Sequence, residues 1–119
     1  MVAALRNKNV DIVGHPTGRL LGRRDPYEID IDFVLDVAAE TGTALEINSS
    51  PDRLDLRDQN IRKGKRLGVR FAINTDAHDL HYFDDLQYGV LQARRGWAEK
   101  KDIVNTLSLH ELDEWLHRN

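Results

Sequence analysis

Three short apolar runs rich in valine and isoleucine, at residues 9–13, 44–47 and 69–73, constrain this chain more than anything else in it. A strand buried on both faces has no polar side to alternate with, so it reads as a continuous apolar run, the signature of a parallel sheet. Segments with helical periodicity lie between the runs. One is expected from Pro26 to about Thr41, with Ile29, Phe33, Val34, Val37 and Ala38 on one side and Gly42 just past its end, where a left-handed residue is wanted. A second runs from about Leu56 to Leu67 and stops at Gly68. Only Ile61 and Leu67 are clearly apolar in it, which predicts a surface helix with solvated charges. Strand, helix, strand, helix, strand with short connections predicts an α/β unit with right-handed crossovers. Beyond Ile73 the chain turns mostly helical. Residues 82–95 carry Phe83, Leu86, Val90 and Leu91 at helical spacing. A last helix is expected from Ser108, which has the capping-box spacing to Glu111, followed by Leu112, Trp115 and Leu116.

A length of 119 residues suits one domain or part of one, and no repeat, low-complexity tract or linker divides residues 1–119. No apolar run approaches the roughly 20 residues that a membrane helix needs, and residues 1–10 do not resemble a signal peptide. The chain has no cysteine, which excludes disulfides, thiolate zinc sites and cysteine nucleophiles and is compatible with the cytoplasm. With 17 Lys and Arg against 20 Asp and Glu, bulk charge does not favour coating nucleic acid, although a local basic patch still can.

In parallel α/β proteins, ligands sit at the carboxyl ends of the strands. All three runs are followed there by chemically capable residues: Gly14-His15-Pro16-Thr17-Gly18-Arg19, then Asn48-Ser49-Ser50-Pro51-Asp52-Arg53-Leu54-Asp55, then Asn74-Thr75-Asp76-Ala77-His78-Asp79. Asp76 and His78, two apart in an extended loop, can point the same way and share a divalent ion; His with Asp suits Zn²⁺, Mn²⁺ or Fe²⁺. The bland alternative is an Asx turn with a merely polar histidine. His15, held between Gly14 and Pro16, is either a ligand in a fixed orientation or a turn histidine. Arg19 either grips a phosphate bidentately or pairs with an acid among residues 25–32. Glu46, inside an apolar run, needs a partner: a metal through water, His15, or Arg53. Asn48 lies at the same strand end. Arg53 and Asp55 flank Leu54 and either both face the pocket or form a local ion pair at the next helix start. His81 is a rim or capping residue, and His110 and His117 read as solvated. Arg94-Arg95, Trp97 and Lys100-Lys101 read as solvated helix charge around a packed indole, with a nucleic-acid contact as the second reading.

Taken together, His15-Pro16-Thr17-Gly18-Arg19, Leu45-Glu46-Ile47-Asn48 with Arg53-Leu54-Asp55-Leu56, and Thr75-Asp76-Ala77-His78 resemble the C-terminal half of a PHP (polymerase and histidinol phosphatase) domain. The tail, Tyr88-Gly89-Val90 with Ala93-Arg94-Arg95-Gly96-Trp97 and then Val104-Asn105-Thr106, sharpens the likeness to the PHP domain of bacterial X-family DNA polymerases. The resemblance implies the C-terminal part of a distorted (β/α)₇ barrel whose carboxyl face holds up to three divalent metals. It also implies phosphoester hydrolysis, in the polymerase branch a Mn²⁺-dependent 3′–5′ exonuclease or related 3′-end processing of DNA. Carried over by position, the metal ligands are His15, Asp76 and His78, which act through a metal-activated water. Arg19, Glu46, Asn48, Arg53 and Asp55 are the supporting or substrate-binding set.

The same resemblance places the opening His-x-His motif, further histidines and a bridging Glu upstream of residue 1, so that residues 1–8 read as the end of a barrel helix. Expected partners are therefore the N-terminal half of the barrel or a polymerase domain, besides DNA 3′ ends or a small phosphoester. Open strand edges predict self-association of the 119-residue chain. The full metal cluster is not expected from this chain, and the isolated chain is expected to be inactive or weak. The alternatives are a phosphomonoesterase of the histidinol-phosphatase type and a catalytically incomplete piece with a structural role.

Overall fold

The computed structural model describes residues 1–118 and shows an α/β unit built on three parallel strands. They are β1 (Ile12–Val13), β2 (Ala44–Asn48) and β3 (Phe71–Asn74), adjacent in the order of the sequence. The helices are α1 (Val2–Leu5), α2 (Ile31–Thr41), α3 (Asp58–Leu67), α4 (Leu86–Arg95) and α5 (Leu109–Leu116), with 3₁₀ turns at Leu80–Asp85, Lys100–Asp102 and Val104–Thr106.

The period of two along a strand sorts the sheet into two faces. Leu45, Ile47, Phe71 and Ile73 point to one side, where they join Leu5, Val34, Leu35, Val37, Ile61 and Ala93 in the main core. Helices α1 to α4 thus all supply this face. The opposite face is mixed: Ala44 and Ala72 pack under Val104 and Trp115, while Glu46, Asn48 and Asn74 continue the same face toward the carboxyl ends. The outer edge of β3 is blunted rather than open. Phe71 bridges to Ile103, and the Asn105 carboxamide accepts from the Ile73 N–H (2.8 Å) and donates to its C=O (3.0 Å), completing the strand's hydrogen bonds with a side chain.

Several boundaries and faces differ from the sequence-based expectation, each for a local reason. The first strand is only two residues long, and Ile12 stands exposed instead of buried on both faces. The second helix begins at Ile31, not Pro26, because Asp30 caps it by accepting from the Phe33 N–H (3.1 Å). The preceding segment is used elsewhere: the Tyr27 N–H donates to the Thr17 carbonyl (2.8 Å), and the Tyr27 ring covers Gly18, whose φ of 62° and lack of Cβ permit that approach. Leu35, not Phe33, faces the core. The α3 helix starts at Asp58 and buries Ile61 while Leu67 is exposed, and Gly42 and Gly68 close α2 and α3 in the left-handed conformation as expected.

The largest difference lies in residues 80–95. Phe83, Leu86, Val90 and Leu91 all face outward, and α4 turns Gly89, Gln92 and Ala93 to the sheet. A Cβ at Gly89 would overlap Ser49 and Ile73, so the small residues set a close approach that the large ones cannot make. Gln92 anchors the contact by donating to the Leu56 carbonyl (3.0 Å). Ser108 and Glu111 form the expected capping box. Trp97, expected to be packed, is 58% exposed, and its indole lies under the Arg62 guanidinium at 3.7 Å, a surface cation–π contact.

Candidate functional site

Each strand runs at its carboxyl end into a loop that holds one non-glycine residue at positive φ: His15 at 29°, Leu54 at 44° and Asp76 at 56°. Such backbone costs about 1–3 kcal/mol per residue and concentrates where function requires it. Trp97, at 64°, is the fourth and lies away from the strand ends.

Glu46 ties the three loops together. Its Oε2 accepts from the His15 N–H (2.6 Å) and from the Asn48 carboxamide (3.2 Å), and its Oε1 accepts from the Asn74 carboxamide (3.1 Å). A carboxylate only 7% exposed is thereby satisfied by three neutral donors. It positions His15, but through the backbone and not the ring, and it does not pair with Arg53. Asn48, fully buried, also donates to Asp76 Oδ2 (3.2 Å) and accepts from the Ser50 N–H (3.0 Å), so one amide joins the loop after β2 to the loop after β3. Asn74 was not among the site residues expected from the sequence. The spacing of two between Asn74 and Asp76 is the signal that marks it, although the apolar run ends at Ile73.

Asp76 and His78 line one shallow cleft with Ser50, Asp52, Thr75 and Tyr82. The loop is not extended, since Asp76 is left-handed; His78 Nδ1 lies 2.6 Å from the Asp76 carbonyl instead of sharing a direction with its carboxylate. Asp76 Oδ2 also faces Arg53 Nε at 3.5 Å, and Arg53 Nη1 is buried without a partner.

Arg19 and Asp55 act away from this cleft. Arg19 pairs with no acid among residues 25–32. Its Nε donates to the Arg53 carbonyl (2.8 Å) and its Nη2 to the Leu54 carbonyl, clamping the second loop from behind. Burial holds its pKa below the usual value, opposed by Asp55 and reinforced by the nearby charge of Arg57. Asp55 is fully buried and accepts from the Thr17 N–H (2.9 Å), so it fastens the first loop to the second and forms no ion pair at the start of α3. Burial pushes its pKa up, and the hydrogen bonds from Thr17 only partly offset this. His81 caps nothing; Asp79 accepts from the His81 N–H (3.2 Å) in that role. His110 and His117 are solvent-exposed on α5, next to Glu114 and Asp113.

The donor chemistry of His15, Asp76 and His78 suits a divalent ion. Their placement does not complete a site for one. Among the described residues, no three His, Asp or Glu side chains converge closely enough to hold a metal. Both oxygens of Glu46, and Oδ2 of Asp76, are taken by N–H groups of this chain.

No model of a protein family matches the chain. It is 52% identical over 98% of its length to a Bacillus subtilis protein named DNA polymerase/3′-5′ exonuclease PolX, of which it spans 20%. The chain is homologous to a segment of PolX. The expected resemblance to the bacterial X-family polymerases therefore extends over 98% of the chain. Two proteins named probable phosphatases are more distant than PolX. One, from Caldanaerobacter subterraneus, is 36% identical over 71% of the chain and 35% of its own length. The other, from a Thermoanaerobacter species, is 30% identical over 98% of the chain and 47% of its own length. The chain thus spans a fifth of PolX and less than half of these phosphatases. No helix among the described residues is long and apolar enough to cross a membrane.

Proposed function

We propose that this chain forms part of a metal-dependent phosphoesterase that processes DNA 3′ ends in the manner of a 3′–5′ exonuclease. The observation that carries the reading is the joining of all three strand ends by Glu46 and Asn48, which draws the His15 backbone, Asn74 and Asp76 into one hydrogen-bonded unit. The name and close similarity of the Bacillus subtilis relative supply the substrate class.

The strands belong, in this reading, to a larger PHP barrel. Sequential parallel neighbours with α1 to α4 on one face fit a singly wound barrel, with α5 closing the amino end of the other face through Trp115, whereas a doubly wound sheet reverses strand order. The inner face then carries the chemistry. His15, Asp76 and His78 contribute donors to divalent ions, Mn²⁺ or Zn²⁺, whose remaining ligands lie outside this chain. When bound, such ions polarise phosphoryl oxygens and acidify a water. Within this chain, Glu46 and Asn48 fix the relation of the loops. Arg53, whose Nε stands 3.5 Å from Asp76 Oδ2 and whose Nη1 has no partner, is the group best placed to steady a phosphate oxygen. Arg19 holds the loop that presents it.

The test is a chimaera in which this segment replaces the corresponding fifth of the Bacillus subtilis relative. Mn²⁺-dependent release of nucleotides from a single-stranded 3′ end is expected, with Asp76→Ala lowering it at least about 100-fold. Unchanged release in that variant would refute the assignment. The phosphatase relatives favour a second reading, a phosphomonoesterase, and the same chimaera assayed on a small phosphomonoester separates the two. The isolated 119-residue chain is expected to hold no stoichiometric metal and to be inactive or weak.

A further inference from the structure

Behind the loop that presents Arg53 lies a second concavity. A hollow of about 240 Å³ is lined by Arg19, Arg57 and Arg95 with Asp58, Gln59 and Gln92. It shares Leu54, Gln92 and Arg95 with an open recess of about 610 Å³ that adds Tyr88, Leu91 and Arg94. None of these residues lines the cleft of Asp76 and His78. The two spaces differ in character. Three guanidiniums from three parts of the fold meet in the hollow with one carboxylate, and that carboxylate, Asp58, stands 3.6 Å from Arg95. Arg19 is 93% buried and already holds the Arg53 and Leu54 carbonyls, yet Arg57 adds a like charge close enough to disfavour it. The Arg57 guanidinium has no hydrogen-bond or ion-pair partner among the described residues. Like charges gathered in a concavity with spare donors, including the Gln59 carboxamide, are arranged to receive an anion. The recess beside them is mainly apolar, and Tyr88, exposed there, offers an aromatic face.

We propose that the hollow and the recess form a nucleotide-binding groove for single-stranded nucleic acid, with a backbone phosphate held by Arg19, Arg57 and Arg95 and a base stacked on Tyr88. An anion site next to an aromatic platform is how non-specific single-strand binders divide the work between charge and stacking. The combined space lies within the roughly 300–1,000 Å³ of ordinary ligand pockets. The groove also explains an otherwise odd outcome of folding: α4 turns Gly89 and Ala93 inward, which leaves Tyr88, Leu91 and Arg95 facing out along one side. The chain's net charge of −3 does not oppose this, because the cations are local. The proposal stands on charge and shape, and not on the phosphoesterase reading.

The test uses the whole 119-residue chain and a fluorescein-labelled oligothymidylate of about 12 nucleotides, within the roughly 4–16 that such sites cover. Anisotropy is read without added metal across a salt series. Binding is expected, with log Kd rising as salt rises. Arg57→Gln is expected to reduce the slope by about 0.7, the value for one phosphate contact on a single strand. Tyr88→Ala is expected to weaken binding about fivefold or more. Both side chains are solvent-facing, so neither substitution threatens the fold. Three results would overturn the proposal: no binding, an unchanged slope in Arg57→Gln, or unchanged affinity in Tyr88→Ala. Because catalysis is not read, failure here leaves the chimaera result intact, and failure of the chimaera leaves this one intact.

Discussion

At the amino end of the sheet's mixed face, Ala44 and Ala72 meet Val104 and Trp115 in an apolar contact. About 7 Å further along the same strands, two residues on, the face becomes Glu46 and Asn74, joined to Asn48 and Asp76. The strands, the register and the side of the sheet are the same. What differs is what covers each end. Small alanines let a large indole close the amino end, and removing that area from water stabilises the fold. At the carboxyl end the strands stop and loops begin, so buried polar side chains there satisfy one another beneath the cleft of Asp76 and His78. One end of the face serves stability and the other gathers the polar groups of the candidate site.

Substitutions can break this division. The largest effect is expected for Trp115→Ala, which opens the amino end and should lower unfolding stability by about 3 kcal/mol in urea titration. In the chimaera below its melting temperature the same variant should keep its nucleotide release. Lost activity in a folded protein would show that the two ends are coupled. Glu46→Ala is expected to come next, at about 2 kcal/mol, because it strands the His15 N–H and the carboxamides of Asn48 and Asn74 without their acceptor. Unlike Trp115→Ala, it should also abolish most of the chimaera's activity by loosening the His15 loop; a stability loss with full activity would contradict the role given to Glu46.

The smallest expected effect sharpens the picture of the loops above the face. Burial raises the Asp55 pKa, so the folded chain binds that proton more tightly than the unfolded chain does. Its contribution is therefore greatest at acid pH and diminishes as pH rises from about 4 through the raised native value. Asp55→Asn keeps an acceptor for the Thr17 N–H and carries no charge. The variant should show a flatter dependence of melting temperature on pH across that window and a higher melting temperature than the parent at neutral pH. An unchanged profile would mean that Asp55 is not strained by its burial.

Much of the site was legible in the residues because strand ends in a parallel sheet are where chains put chemistry. His15, Glu46, Asn48, Asp76 and His78 all fall there, and Glu46 meets the demand of a buried carboxylate for partners. Less legible was what each side chain does on arrival. Arg19 and Arg53 read as equivalent phosphate groups, yet one clamps a loop from behind and the other faces Asp76. Local pattern cannot distinguish them, because the difference arises from which side of the loop at residues 50–54 each approaches. Helix α4 shows the same limit. Its large apolar residues have helical spacing, but the close approach permitted by Gly89 and Ala93 turns the opposite side to the sheet.

The sequence by itself determined the three strands, their parallel order, the capped ends of α2, α3 and α5, and the carboxyl-end placement of the polar residues. These follow from periodicity, capping chemistry and short connections, which act over a few residues. Tertiary structure alone decided that Asn105 would close the edge of β3, that Asn48 would bridge Glu46 to Asp76, and that Arg19, Arg57 and Arg95 would gather around one hollow. Each of those joins residues about 28 or more positions apart, or brings distant charges together, and such contacts exist only after the sheet and helices have packed.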